Sequence, residues 1–243
     1  MRNVLLTGAS RGLGLEICKM LLEDCGASVY AVSRSRGEDL AKLQAKFPNR
    51  LFFKEVDLSQ PDSARRAIFA RDFISNQIPL HAYINNAAQA YGDIITNINE
   101  KKLRSMFDVN VFTPMMLVKY AIRNMILHRT SASIVHISSV SAHTGYKGLA
   151  MYASSKGALE AFSKNTAREW GRKGIRSNTL APGFMKTQMS ASLSEDDIKK
   201  ICERTSLKRL PDIQSVAKTA IFLISDASSS ITGQNICVDS GTI

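Results

Sequence analysis

The 243-residue chain carries 32 Lys and Arg against 21 Asp and Glu, a net charge of +11, with 44% hydrophobic and 22% charged residues. That balance belongs to a globular protein with enough apolar mass for a large core, and it excludes disordered, collagen-like and disulfide-stapled miniprotein classes. The apolar runs at 134–137 and 220–224 fall far short of the about 20 residues of a membrane-spanning helix.

Met1 and Arg2 lead straight into Val4, Leu5 and Leu6 without a secretory pattern, so a cytoplasmic protein is expected. Cys18, Cys25, Cys202 and Cys237 make no C-x2-C pair and have no zinc-site spacing, which predicts reduced thiols. The basic residues are scattered as Arg34/Arg36, Lys101/Lys102, Arg172/Lys173 and Lys199/Lys200, with no run of five and no aromatic interleaving. This distribution argues against nucleic acid and membrane surfaces and favours phosphate-bearing ligands.

Short apolar runs alternate with longer amphipathic segments to about residue 182, with no internal repeat and no low-complexity linker. This is the pattern of βαβ units in a parallel sheet. Strands are expected at 3–7, 28–33, 51–56, 82–85, 133–138, 176–181 and 235–239, and helices at about 12–25, 38–47, 60–76, 100–128, 150–173, 195–204 and 212–225. Asp62, Ser194 and Asp212 are expected helix starts, and Gly174 an expected helix end. Right-handed crossovers then give an α/β fold, a doubly wound Rossmann-type parallel sheet in a single domain over 1–243. Its cofactor half would span about 1–90, and its catalytic and substrate part about 91–243.

The first strand runs into Thr7-Gly8-Ala9-Ser10-Arg11-Gly12-Leu13-Gly14, and a helix follows at once. Glycines at a strand-to-helix turn let backbone N–H groups approach a pyrophosphate at the positive end of the helix. A tight turn without a ligand would use the same residues. The spacing is G-x3-G-x-G, distinct from G-x-G-x-x-G, and the P-loop Lys-Ser/Thr ending is missing, which argues against an ATPase. The second strand ends at Ser33-Arg34, where an NAD-specific site would carry Asp or Glu. Arg34 and Arg11 offer charge to a 2′-phosphate, so NADP(H) is expected over NAD(H), although a surface arginine is ordinarily just solvated.

Ser139 follows the fifth strand, at the strand ends where ligand sites form in open α/β sheets. Tyr152 and Lys156 lie four residues apart, on one face of a helix. A phenol has a pKa of about 10, and a neighbouring ammonium is expected to pull it toward the working range. Tyr and Lys at this spacing also arise by chance on exposed helices.

Together these residues resemble the short-chain dehydrogenases/reductases, over essentially the whole chain. Thr7 to Gly14 looks like the family's cofactor loop, Asn85-Asn86-Ala87-Ala88 like its N-N-A-G segment, and Ser139, Tyr152 and Lys156 like its serine and Y-x3-K. The resemblance implies a catalytic set of Asn110, Ser139, Tyr152 and Lys156. It implies a cofactor site of Gly8, Ser10, Arg11, Gly12, Leu13, Gly14, Arg34, Asp57, Asn86, Ala87, Tyr152, Lys156, Pro182, Gly183 and Thr187, and no metal. Ser139 would bond the substrate carbonyl, Tyr152 donate the proton and Lys156 hold the nicotinamide ribose and lower the tyrosine pKa. Asn110 would anchor a water linking Lys156 to solvent.

Within the family, Ala181-Pro182-Gly183-Phe184, the stretch Ser163 to Glu169 and Ile231-Thr232-Gly233-Gln234 are most similar to 3-oxoacyl-[acyl-carrier-protein] reductases of fatty acid biosynthesis. Arg129, Arg172 and Lys173 could meet an acidic carrier protein, or be solvated. A homotetramer paired through the long helices is expected. Ala88 and Ser240 depart from the family's glycines. Reduction of a free ketone or polyketide, oxidation of a sugar or secondary alcohol, and a nucleotide-sensing regulator without chemistry are the competing readings.

Overall fold

The computed structural model describes residues 2–186 and 194–243. Its elements in chain order are β1 (Asn3–Thr7), α1 (Gly12–Glu23), β2 (Ser28–Ser33), α2 (Glu38–Lys46), β3 (Leu51–Glu55), α3 (Pro61–Ile68), β4 (Ala82–Asn85), α4 (Glu100–Phe107), α5 (Thr113–Leu127), β5 (Ala132–Ile137), α6 (Ala150–Trp170), β6 (Ile175–Pro182), α7 (Glu195–Arg204), α8 (Ile213–Ile224) and β7 (Asn235–Val238). The strands form one parallel sheet in the order β3-β2-β1-β4-β5-β6-β7. The expected doubly wound topology is therefore present.

Successive side chains of a strand point to opposite faces, and both faces are dry. Val4 and Leu6 of β1 pack with Ile17, Leu21 and Leu22 of α1 and with Val216 and Ala220 of α8. Leu5, between them, joins Ala64 and Ile68 of α3 and Leu117 and Ala121 of α5 on the other side. Helices on both faces explain why the strands read as near-continuous apolar runs.

Two expected helices are corrected. The 60–76 segment is helical only over Pro61–Ile68, and Gln60, not Asp62, is its cap residue; Pro61, which needs no N–H partner in the first turn, starts it. The 100–128 segment is two helices joined by a π-helical turn, Asp108–Phe112. Pro114, at the start of α5, has no N–H to give to the carbonyl of Asn110 four residues earlier, and its ring crowds that carbonyl. The ladder therefore widens at Asn110. Ser194 and Asp212 do cap their helices, Ser194 through a reciprocal bond with Asp197. Gly174, at φ 73°, closes the turn after α6 in the left-handed conformation.

The strand order reverses between β1 and β4. The segments that follow β1, β2, β4, β5 and β6 all leave from the carboxyl edge of the sheet, the edge where open α/β sheets form their ligand crevice.

Candidate active site

The glycine loop is held by the segment after β4. Asn86 Nδ2 donates to the carbonyls of Thr7 and Gly8, each at 3.1 Å, while Asn86 N and Ala87 N both donate to Thr7 Oγ1 at 3.1 Å. The two segments are so close that a Cβ on Gly14 would stand 2.0 Å from the Gly8 carbonyl oxygen. Gly12 is different: its φ is +55° and a Cβ there would meet nothing within 4 Å. Gly8 and Gly14 thus serve close backbone approach, whereas Gly12 faces open space at the N-terminus of the 12-residue α1, whose first turn holds no acidic residue. Such an end suits a phosphate. Leu13 is buried in the core, leaving its backbone N–H for this loop.

Ser10 and Arg11 adjoin the segment after β2: a Cβ on Gly37 would come 3.4 Å from the Ser10 carbonyl oxygen. Arg11 and Arg34 are exposed on that edge. Asp57 follows the residue bonded to Ser33 and accepts from Ser59 N at 2.9 Å, forming a local turn. Pro182 ends β6, and Gly183 N donates to Val238 O at 3.0 Å. Thr187 lies outside the described residues. Ala88 lies outside the left-handed region, so the loss of glycine there brings no backbone strain. Ser240 does sit in that region at φ 59°, next to Asp239, whose carboxylate accepts from the N–H groups of Gly241, Thr242 and Ile243.

Ser139 follows β5 and caps the short 3-10 turn Val140–Ala142, its Oγ accepting from Ser141 N at 3.2 Å and Ser141 Oγ at 3.0 Å. That turn packs on α6, which carries Tyr152 and Lys156. The Lys156 Nζ stands 5.5 Å from the centre of the Tyr152 ring and donates to the Ile137 carbonyl at 2.8 Å. The other two ammonium hydrogens remain for a further acceptor. Asn110 Oδ1 accepts from Gln89 N at 2.8 Å, and its Nδ2 donates to Gln89 O at 2.9 Å and to Ser155 Oγ at 3.0 Å. Ser155 in turn donates to the Tyr152 carbonyl at 2.7 Å. The π turn, the loop after β4 and α6 are therefore tied together by one amide.

The expected lowering of the Tyr152 pKa is not met. The ring packs on Tyr91, Met106 and Met151, and burial pushes the phenol up to about 12. The ammonium lies over the ring and is engaged by a backbone carbonyl. Burial draws Lys156 down to about 8, opposed by the charge of Glu160. A phenol held neutral is in the form that can donate a proton. Sequence reasoning overlooked Gln89, Ser141, Ser155 and Glu160; only Glu160 left a signal, the four-residue step beyond Lys156.

The family described as Enoyl-(Acyl carrier protein) reductase matches residues 8–242. The chain is 30% identical to a 3-oxoacyl-[acyl-carrier-protein] reductase of Chlamydia pneumoniae, over 99% of this chain and 96% of that one. It is 33% identical to carbonyl reductase [NADPH] 2 of Sus scrofa, over 98% and 95%. Among solved structures, a gluconate 5-dehydrogenase from Burkholderia cenocepacia J2315 in complex with NADP and tartrate superimposes with a TM-score of 0.90 at 27% identity, covering 99% of this chain and 94% of that one. The glycine loop, the widened turn at Asn110 and the Ser139, Tyr152 and Lys156 set thus stand in a chain that belongs to the short-chain dehydrogenase/reductase family of oxidoreductases.

Proposed function

We propose that the protein reduces a ketone to a secondary alcohol with NADPH, most simply the ketone of a 3-oxoacyl thioester on acyl carrier protein in fatty acid biosynthesis. The observation that carries the ketone chemistry is a neutral, partly buried phenol at Tyr152 beside the buried ammonium of Lys156. Ser139 Oγ donates to the substrate carbonyl, and Tyr152 protonates its oxygen as the carbon is reduced. Lys156 keeps two hydrogens for the hydroxyls of a ribose, and Asn110 holds the loop and the helix that flank it. Its backbone carbonyl, without an α-helical partner because of Pro114, is the acceptor available to a water near Lys156.

Residues 1–90 hold the nucleotide in this reading. Gly12 leaves room for its phosphates, and Arg11 and Arg34 supply charge for a 2′-phosphate. When bound, the nucleotide supplies the hydride. Replacing Arg34 by Ala is expected to raise the KM for NADPH far more than that for NADH in initial-rate measurements; equal effects would make Arg34 an ordinary solvated residue.

The carrier-bound substrate draws support from relatives named 3-oxoacyl-[acyl-carrier-protein] reductases. A specific observation favours a free ketone or sugar instead. Arg129 precedes β5 and Arg172 precedes β6, so both lie at the amino edge of the sheet, with the whole of β5, about 20 Å of strand, between them and Ser139. Within one chain these arginines do not flank the site. NADPH oxidation with carrier-bound, CoA-bound and free ketones decides: a preference of tenfold or more in kcat/KM for the carrier thioester supports the first reading, and equal or better use of free ketones the second.

A further inference from the structure

Helix α6 repeats its four-residue step once more beyond Tyr152 and Lys156, at Glu160. Glu160 is only 9% exposed, and a buried carboxylate requires partners. Both partners belong to the segment that carries Ser139. The hydroxyl of Ser138 donates to Glu160 Oε1, and His143 Nε2 lies 3.0 Å from the same oxygen. Ser138 immediately precedes Ser139, and His143 is the residue that closes the 3-10 turn which Ser139 opens. One carboxylate oxygen therefore grips both ends of the stretch 138–143.

The last strand borders this cluster: Asn235 of β7 lies beside His143, and its Oδ1 accepts from Thr179 Oγ1 of β6 at 2.9 Å. The groups around Glu160 are thus Lys156 on its own helix, Ser138 just after β5, His143 from the turn, and Asn235 and Cys237 from β7, the Cys237 thiol being raised first by burial and then by the charges of Asp239 and Glu160. Lys156 is the one ammonium among them. The residue is 2% exposed and lies one helical turn before Glu160, whose negative charge favours its protonated form.

Building on the reductase reading above, we propose that Glu160 is a positioning residue that clamps the segment presenting Ser139 and keeps Lys156 in its ammonium form. The hydrogen bonds and the charge are separable. Glu160→Gln keeps size and an acceptor for Ser138 but removes the charge; Glu160→Asp keeps the charge at shorter reach; Ser138→Ala removes one bond and no charge.

The test measures NADPH affinity by fluorescence from pH 6 to 9.5, and kcat for a β-ketoester, on the full chain of each variant, with thermal unfolding as a check on folding. The parent is expected to lose NADPH affinity as Lys156 deprotonates, above about pH 8. In Glu160→Gln that loss should move to lower pH by about half a unit or more, and in Glu160→Asp and Ser138→Ala it should stay in place. Ser138→Ala and Glu160→Asp should both lower kcat several-fold. An unmoved pH dependence in folded Glu160→Gln overturns the charge role, and an unchanged kcat in Ser138→Ala overturns the clamp. Should Glu160→Gln not fold, the other two variants decide: a parent-like kcat in both ends the proposal. A parent that neither binds NADPH nor oxidises it with any ketone defeats the reductase reading itself, a different outcome from any of these.

Discussion

Tyr152 and Lys156 are placed four residues apart by the helix, but their protonation is decided by what surrounds them. The apolar patch of Tyr91, Met106 and Met151 keeps the phenol neutral, so Tyr152→Phe removes a donor and little else. Folding and NADPH binding should survive, and turnover should fall by at least about 10²; near-parental turnover would end the proposed mechanism. Lys156 carries the opposite burden. Its pKa in the folded chain, about 8, lies below the ordinary 10.5, so between those values the unfolded chain binds more protons and stability rises with pH. Below pH 8 the buried ammonium costs on the order of 3 kcal/mol. Lys156→Met should therefore lose activity yet gain stability relative to the parent at pH 7, and that gain should shrink as pH rises toward 10 in denaturant titrations. A gap independent of pH would show that Lys156 is not the strained group.

Elements show the same division between backbone geometry and ligand space. In the loop between β1 and α1, a methyl group on Gly14 collides with the Gly8 carbonyl at 2.0 Å, while one on Gly12 finds open room. Gly14→Ala should disrupt the turn and destabilise the chain by about 3 kcal/mol or more, in the range of severe core overpacking. Gly12→Ala should cost only about 1–2 kcal/mol for its positive φ but weaken NADPH binding at least tenfold, because the added carbon enters the space left for phosphates. Thermal unfolding and NADPH fluorescence distinguish the two, and equal NADPH affinity in Gly12→Ala and the parent would remove the phosphates from this loop. The π turn at Asp108–Phe112 follows similar logic: Pro114 denies Asn110 its helical partner, and the widened turn brings the Asn110 amide to Gln89 and Ser155.

At the scale of the whole molecule, the net charge of +11 is compatible with steering an acidic carrier, but Arg129 and Arg172 sit at the amino edge of the sheet, away from Ser139. If a carrier is recognised through Arg129 and Arg172, a neighbouring copy must supply the site they serve. Arg129→Glu and Arg172→Glu should then lower kcat/KM for a carrier thioester, strongly at low salt, while leaving a short β-ketoester nearly unaffected. Light scattering should return a tetramer; a monomer at micromolar concentration together with identical small effects on both substrates would leave these arginines as a solvated face.

The strands, the glycine turn and the placing of Tyr152 and Lys156 on one helix face were legible in the sequence because they rest on local rules. These are apolar runs bounded by turn residues, glycines where a strand meets a helix, and a four-residue step on one helix face. The caps at Ser194 and Asp212 were legible for the same reason. What required the tertiary structure depends on neighbours distant in the chain. The break at Asn110 is the exception, since its cause, Pro114, is four residues away and was outweighed by a continuous amphipathic pattern. The raised phenol came from residues 91, 106 and 151 converging on Tyr152. The burial of Glu160 came from Ser138, just after β5, and His143, at the end of the following turn, closing over α6. Periodicity and spacing determine which side chains share a face; only packing decides which of them lose water, and the loss of water sets their charge.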